Sequence, residues 1–337
     1  MKGFRARKAS LSFCVLAAIL APVASVSEEQ DGFSTMPLFP LTQGLAPYAN
    51  SSGSILKPGQ LSLDSALVWT NTLRYDDGSE YPGYALIVDG ESLVEHLNFR
   101  AGIGHGLELE AWLEGSQLFA GYFDTLIEGF HLAFGFPNQA RADFPSNKLE
   151  ILVDTPAGPA LDVTSPRAGL TSWGLGISAV PLPGLPLSLG VKLKLPAPVV
   201  SPWFLTGATA LSSALTWHQE WRFIESAFSV GAAWQADSGM SQFVPLRSIL
   251  LQGGARLFFR TGESILLGVE AAGSQSPYLV DEMYLGGIVG NLWIGGKVRI
   301  SEELSLSVAL IEELASWASI EVGLSFGLTW KPQYARK

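Results

Sequence analysis

Residues 185–195 read LPLSLGVKLKL, and this stretch decides the fold. Leucine or valine occupies every odd position from Leu185 to Leu195, whereas the even positions from Ser188 to Lys194 carry serine, glycine or lysine. Side chains of a strand point alternately to its two faces, so this stretch predicts a strand with one apolar and one polar face. About ten residues of such alternation match a tilted bilayer-crossing strand, whereas strands of soluble sheets average about 5–6 residues.

The same alternation recurs on both sides of this stretch. Further alternating segments lie at residues 61–70, 83–88, 93–103, 107–113, 149–153, 173–179, 208–217, 227–236, 249–259, 264–272, 284–300, 304–311 and 319–330. Short turns alternate with longer loops, and residues 155–167, which carry three prolines, are predicted to form a loop. The sequence therefore predicts an all-β protein, a transmembrane up-and-down antiparallel β-barrel of about 12–14 strands. The barrel is expected over residues 59–331, with a C-terminal tail at 332–337.

Composition favours a membrane barrel over a soluble fold. Only 15% of the residues are charged and the mean hydropathy is +0.26, yet no stretch after residue 27 approaches the roughly 20 apolar residues of a spanning helix. The 36 glycines and 10 tryptophans suit close strand packing and aromatic belts at the membrane interfaces. Acidic residues number 31 against 21 basic ones, and no basic patch is present, so nucleic acid is excluded as a partner.

The N-terminal region indicates export. Residues 2–8 carry four basic residues, residues 11–23 are apolar, and small residues follow. This pattern predicts a secretory signal peptide at residues 1–27, and with the barrel it predicts a location in the outer membrane of a Gram-negative bacterium. Cys14, the only cysteine, falls within that signal. Residues 28–58 are polar and rich in proline, glycine and serine, and they are expected to form an N-terminal loop that lies in the periplasm or enters the barrel.

Residues 122–146, YFDTLIEGFHLAFGFPNQARADFPS, form the only stretch with helical periodicity. Asp124, Glu128 and His131 share one face of the predicted helix. The apolar face consists of Phe123, Leu126, Ile127, Phe130 and Phe134. Gly135 and Pro137 end the helix. We therefore predict an amphipathic helix at about residues 122–135, in an insertion at 121–147 after about the fourth strand, that plugs the lumen or lies at the periplasmic mouth.

The same stretch resembles a known bacterial family, Domain of Unknown Function family 3187. The resemblance rests on residues 127–131 (IEGFH), residues 134–137 (FGFP), Arg141 and Pro145, and extends loosely to residues 107–113 and Glu312-Glu313. Gln139-Ala140 replaces the small, glycine-rich residues expected there. The resemblance implies an outer-membrane-type barrel and supplies no activity and no catalytic residues.

Two interpretations of the polar helix face remain open. Asp124, Glu128 and His131 could bind a divalent metal, because carboxylate and imidazole ligands suit zinc or iron. The favoured interpretation is a wetted helix face turned to the lumen or periplasm and paired with Arg141. We therefore expect no metal and no cofactor.

Charged residues at inward positions are expected to line the lumen, because a charge facing lipid is costly. The predicted acidic wall consists of Glu108, Glu110, Glu114 and Glu150, and the predicted basic wall of Lys192, Lys194, Arg256, Lys297 and Arg299. Opposing walls would make a pore eyelet. Alternatively, the same residues close the lumen through ion pairs.

Catalysis is disfavoured by the sequence. Ser212 or Ser213 precedes His218, but adjacency in sequence is not a catalytic triad, and the chain has no Gly-x-Ser-x-Gly elbow. We expect a passive small-solute pore or a structural barrel. The alternatives are a lipid-modifying enzyme in the barrel and a soluble periplasmic β protein. The expected partners are outer-membrane lipid and the barrel-assembly machinery, and the oligomeric state is left open.

Overall fold

The computed structural model describes residues 32–33, 35–45, 54–79, 83–134, 144, 146–182, 184–197, 207–314 and 319–332. The strands are β1 (Leu61–Asp76), β2 (Ala85–Gly104), β3 (Leu107–Phe119), β4 (Glu150–Thr155), β5 (Gly158–Val163), β6 (Arg167–Ala179), β7 (Leu187–Pro196), β8 (Ala210–Glu220), β9 (Ile224–Gln235), β10 (Ile249–Arg260), β11 (Ile265–Gln275), β12 (Ile288–Arg299), β13 (Leu304–Glu313) and β14 (Val322–Trp330). The helices are α1 (Asp124–Phe134) and α2 (Met283–Gly286), with a 3₁₀ turn at Gly239–Gln242.

Twelve of these strands close into one antiparallel barrel. Each strand from β6 to β13 pairs with the one that follows it. At the other end of this series β6 pairs with β3, and β3 pairs with β2. Strand β1 pairs with both β2 and β14 and so closes the ring. The prediction of an all-β, up-and-down transmembrane barrel is confirmed, at the lower end of the expected strand number. The remaining two strands, β4 and β5, form a hairpin that pairs with the start of β2 outside the ring.

The outward face of the barrel is apolar and exposed. On β1 and β14, for example, Leu67 lies opposite Phe326, and these side chains are 38% and 46% exposed. The intervening positions, such as Ala66 and Ser325, are buried inside. An exposed apolar band around a closed barrel fits lipid rather than water, so the soluble periplasmic alternative is wrong. Among the residues described, no helix has the length and apolarity needed to span a bilayer.

The two ends of the barrel differ. At one end the connections are tight: 105–106, 180–186, 221–223, 261–264 and 300–303. At the other end they are mostly longer: 77–84, 120–166, 197–209, 236–248, 276–287 and 314–321. In outer-membrane barrels the short turns face the periplasm and the long loops face outward. β1 begins and β14 ends at the short-turn end.

Two expectations from the sequence are corrected here. Residues 155–167 were predicted as a loop because of their prolines, but they contain β5. Pro159 is tolerated because β5 is the last strand of the sheet, where a missing N–H breaks no ladder. The predicted helix exists as α1 but follows β3, not a fourth strand, and it lies at the long-loop end rather than at the periplasmic mouth.

Candidate functional site: the occupied lumen

The lumen contains residues 32–33 and 35–45, and we call the stretch 32–45 the lumen segment. Its apolar side chains are buried, and Leu38, Phe39, Leu41 and Leu45 have no exposed surface. Pro37 and Pro40 exclude a helix or a central strand here. The backbone of the segment bonds partly within turns, as from the Thr42 N–H to the Phe39 carbonyl at 2.8 Å, and partly to inward-facing side chains of the wall.

The lower end of the lumen segment, at Gly32 and Phe33, is held by charged side chains of neighbouring strands. The backbone N–H of Phe33 donates to Glu270 Oε2 on β11 at 2.7 Å. Lys297 Nζ on β12 donates to the carbonyl of Gly32 at 2.6 Å. A Cβ on Gly32 would lie 2.5 Å from Glu270 Oε2 and 2.9 Å from Arg256 Nη1, so a larger residue here would have to displace these side chains from their present positions. Buried charges bonded to a backbone fix the position of this part of the segment.

The upper end of the lumen segment, at Gln43 and Leu45, is held by the opposite side of the barrel. Lys194 Nζ on β7 donates to the carbonyls of Gln43 and Leu45 at 3.1 and 2.5 Å. The Gln43 side chain accepts from Ser116 Oγ on β3 at 2.8 Å and donates to Ser92 Oγ on β2 at 3.2 Å. The lumen segment therefore crosses the barrel from β10–β12 to β2, β3 and β7.

Long loops cover the upper end of the lumen segment with apolar side chains. Met240 and Val244 from the 236–248 connection and Tyr278 and Leu285 from the 276–287 connection are buried in the same apolar cluster as the segment. Tyr278 Oη donates to the carbonyl of Leu41 at 2.5 Å. Burial raises the pKa of the Tyr278 hydroxyl, so this donor keeps its proton. The outer half of the lumen is thus closed by an apolar lid above the segment.

The predicted acidic and basic residues of β3 and β7 meet across the strand between them. Glu110 and Lys192 lie in register on either side of Gly176 of β6. Because Gly176 has no side chain, the two long side chains reach over it, and Lys192 Nζ lies 3.0 Å from Glu110 Oε1. A Cβ at Gly176 would lie 3.2 Å from Glu110 and 3.3 Å from Lys192. The small inward face of β6 thus makes room for an ion pair along the wall.

Other predicted wall residues are paired in the same way. Lys194 Nζ lies 3.7 Å from Glu114 Oε2, and Arg100 Nη1 lies 3.5 Å from Glu108 Oε1. Arg256 Nη2 lies 3.3 Å from Glu225 Oε1 on the neighbouring strand. Acidic and basic residues are interleaved, so the structure places these residues in a lumen with paired charges and not in two opposing walls.

Two predicted wall residues lie elsewhere. Glu150 is on β4, outside the ring, and its carboxylate lies 2.5 Å from Lys148 Nζ. Its assignment to the lumen was wrong because alternation alone does not show that a strand belongs to a hairpin outside the barrel. Arg299 ends β12 at the short-turn rim, where its Nη2 donates to the carbonyl of Glu263 at 2.6 Å.

Asp124, the first residue of the predicted polar face of the helix, is turned towards protein. Asp124 is buried, and its carboxylate accepts from Asn71 Nδ2 at 2.9 Å and from the backbone N–H of Asn147 at 2.6 Å. Glu128 is half-buried. The side chain of His131 and the whole of Arg141 lie outside the described part of the chain. The expectation of a helix inside the lumen was wrong, because the lumen segment occupies that space.

One group of side chains at the short-turn end has metal-ligand types. Ligand atoms of His218, Glu220 and Glu225 all lie within 4.8 Å of one another. The Arg256 guanidinium already pairs with Glu225, so a cation stands beside this carboxylate without a metal. Ser212 lies six residues from His218 on the same strand, roughly 20 Å away along it. These two residues therefore do not form a nucleophile–base pair.

The wall beside the lower anchor contains a small cavity. It is lined by residues of β8–β11, including Ser229, Arg256 and Glu270, and its volume is about 20 Å³. This is room for about one water molecule.

The comparisons with known proteins agree with this architecture. The family described as Protein of unknown function (DUF3187) matches residues 10–331. Among solved structures, the COG4313 outer membrane channel from Pseudomonas putida F1 is similar with a TM-score of 0.52 at 12% identity, over 84% of this chain and 99% of that chain.

Two further structures are similar at lower TM-scores. A Pseudomonas aeruginosa FadL homologue gives 0.42 at 10% identity, over 91% of this chain and 100% of that chain. The Ralstonia pickettii toluene transporter TbuX gives 0.40 at 10% identity, over 83% and 90%. No curated protein sequence matches this chain. At 12% identity the likeness to the COG4313 channel concerns the fold, an outer-membrane β-barrel, as the sequence predicts.

Proposed function

The chain belongs to the family described as Protein of unknown function (DUF3187), and we propose that it is an outer-membrane channel for small, partly apolar solutes. The observation that carries this proposal is the lumen segment. A barrel of about 8 strands is filled by its own side chains, whereas a larger barrel encloses a cavity or channel. This barrel of twelve strands encloses an additional stretch of its own chain.

The lumen segment is attached in a way that permits its removal. Its polar anchors are Glu270, Lys297 and Lys194. Each of them is joined to a backbone group of the segment by a non-covalent hydrogen bond. Each such charge-assisted hydrogen bond contributes about 1.5–3 kcal/mol. The space that the segment vacates would admit a solute about as wide as a peptide chain.

The surroundings of the lumen segment indicate the class of solute. The upper part of the vacated space is lined by apolar residues such as Val244, Tyr278 and Leu285. The lower part carries Lys297, Arg256 and Glu270. A solute with an apolar body and a polar end would meet both environments on its way through the barrel.

Planar-bilayer conductance tests the proposal. The intact protein is expected to show little or no current, and a variant lacking residues 32–45 should show stepwise currents. A variant lacking residues 123–134 is the matched control, because it removes a stretch of similar length outside the lumen and should stay closed. Liposome swelling with solutes of graded apolarity then ranks the permeants.

A structural barrel makes a different prediction. If both deletion variants fold as heat-modifiable barrels and neither conducts, the channel proposal is wrong. If the intact protein conducts as well as the variant without residues 32–45, the protein is an open pore and the lumen segment is not its closure.

A further inference from the structure

The start of the α1 insertion is fastened to the outside of the barrel. Trp69 and Asn71 on β1, Glu91 on β2 and Phe119 on β3 occupy the outward phase of their strands, the phase that includes the exposed Leu67. These positions lie at the long-loop end of the wall. Unlike the exposed outward residue Leu67, Asn71 and Glu91 are buried, and both bond to residues of the stretch 121–127.

Glu91 is the centre of this attachment. Its carboxylate has no exposed surface and accepts from the backbone N–H of Tyr122 at 2.6 Å, from Trp69 Nε1 at 2.5 Å and from the backbone N–H of Phe123. A Cβ on Gly121 (φ +86°) would lie 2.4 Å from the Glu91 side chain, so the chain approaches as closely as a glycine permits. The two backbone donors, Tyr122 and Phe123, hold the start of α1 against the wall, and the third donor, Trp69, orients the carboxylate from within the wall.

Aromatic stacking supports the same attachment. The ring of Phe123 stacks on that of Trp69 with centroids 4.1 Å apart and planes at 22°. Phe119 joins this cluster, with its centroid 6.2 Å from that of Trp69. Aromatic side chains on the outer wall near a strand end are typical of the membrane interface.

Among the described side chains of α1 and of Tyr122 just before it, the exposed ones carry no charge. Tyr122, Leu126 and Leu132 are 76%, 64% and 82% exposed. Thr125, Gly129 and Ala133 complete this face. The acidic residue Asp124 is on the opposite face, buried against the barrel, and Glu128 is half-buried. A helix at a water-facing surface shows the reverse arrangement, with its charges outward and its large apolar side chains inward.

We propose that α1 is an in-plane membrane helix that lies in the outer leaflet, with the face of Tyr122, Leu126 and Leu132 against lipid acyl chains. The face continues the apolar outer wall of the barrel, which is already a lipid interface, and it lacks the charges of a water-facing surface. Helices with one apolar face lie in the interfacial plane with that face in the acyl region. The inference goes beyond the proposed channel and holds whether or not the barrel conducts.

Spin labels test the position of α1. Leu126→Cys and Leu132→Cys in a Cys14→Ser background give single labelling sites, since Cys14 is the only cysteine. The labelled protein is reconstituted in vesicles of phosphatidylcholine and phosphatidylglycerol. Power saturation then compares collisions with oxygen, which concentrates among acyl chains, and with a water-soluble nickel chelate. Leu267→Cys on the lipid-facing wall and Glu302→Cys in an exposed turn provide the two references.

The labels at 126 and 132 should favour oxygen over nickel, as at 267, though with a smaller ratio because the helix lies near the interface. Nickel accessibility equal to that at 302 would place the helix in water and overturn the proposal. Labels that are immobilised and shielded from both reagents would also overturn it. In that case another part of this chain or a second copy covers the face.

Discussion

The lumen segment contacts the inside of the barrel wall and α1 contacts its outside. The relation between sequence pattern and burial differs between the two. The lumen segment has no periodicity, yet its apolar side chains are buried and it is held by Lys194, Lys297 and Glu270. The helix α1 has a clear amphipathic pattern, yet its polar residue Asp124 faces protein and Leu132 is exposed. When the surroundings are lipid, a polar face therefore packs against protein, where its groups form hydrogen bonds.

The largest expected effect breaks the outer attachment. Glu91→Leu removes the acceptor of three hydrogen bonds and leaves the N–H groups of Tyr122 and Phe123 without it. The free energy of local opening for residues 121–127 should fall by about 3 kcal/mol or more, which is roughly a hundredfold in the opening equilibrium. Hydrogen exchange of this stretch measures the effect, and the lumen segment should remain protected.

Glu95→Leu is the matched control for this variant. Glu95 lies on the same strand and the same outward phase but is exposed. Its replacement should leave exchange at residues 121–127 unchanged. Equal acceleration in both variants would mean that the loss of charge on β2, and not the bonds of Glu91, loosens α1.

The next prediction compares one glycine inside the barrel with one outside it. Gly32→Leu places a side chain where a Cβ already lies 2.5 Å from Glu270, whereas a Cβ at Gly129 has nothing within 4 Å. Overpacking of this kind costs about 1–3 kcal/mol. Gly32→Leu should therefore unseat the lower part of the lumen segment and raise bilayer conductance, while Gly129→Leu should leave both unchanged. The comparison between the two regions fails if the two variants behave alike.

A smaller effect is expected from one anchor of the lumen segment. Lys297→Met retains the apolar stem but removes the bond to the Gly32 carbonyl. The seated state of the segment should lose about 1.5 kcal/mol, visible as faster exchange at residues 32–33 and as brief openings in single-channel records. Lys148→Met, at an exposed pair on the outer hairpin, is the control and should change neither.

The sequence predicts the wall better than what lies against it. Strict alternation shows that Lys192 and Glu110 point inward, because each strand has only two faces. Their meeting over Gly176 depends on the register of three strands, which alternation within one strand does not determine. Periodicity also locates α1 but not its orientation, because the pattern is the same whether the surroundings are water or lipid.

The position of the lumen segment could not be decided from the sequence for a related reason. The interpretation of residues 28–58 allowed either a periplasmic position or entry into the barrel, since prolines and small polar residues are typical of both. Inside the barrel, backbone groups of the segment bond to side chains from distant strands, such as Lys194 and Glu270. No local pattern is needed for such bonds, so none appears in the sequence.

The smallest expected effect concerns the lid over the lumen segment. Burial raises the pKa of the Glu282 carboxyl, and the charge of Asp76 acts in the same direction, against backbone hydrogen bonds from Tyr284 and Leu285. Because the folded pKa lies above the unfolded one, this contribution to stability is full below the unfolded pKa and is lost as the pH rises through the folded pKa. After correction for intrinsic rates, exchange at residues 283–286 should be slower at acidic pH than at neutral pH. Glu282→Gln should remove that difference. The helix α1 serves as the internal reference, since its protection should be the same in the wild-type protein and in Glu282→Gln. A pH effect that persists in Glu282→Gln would assign the titration to another group.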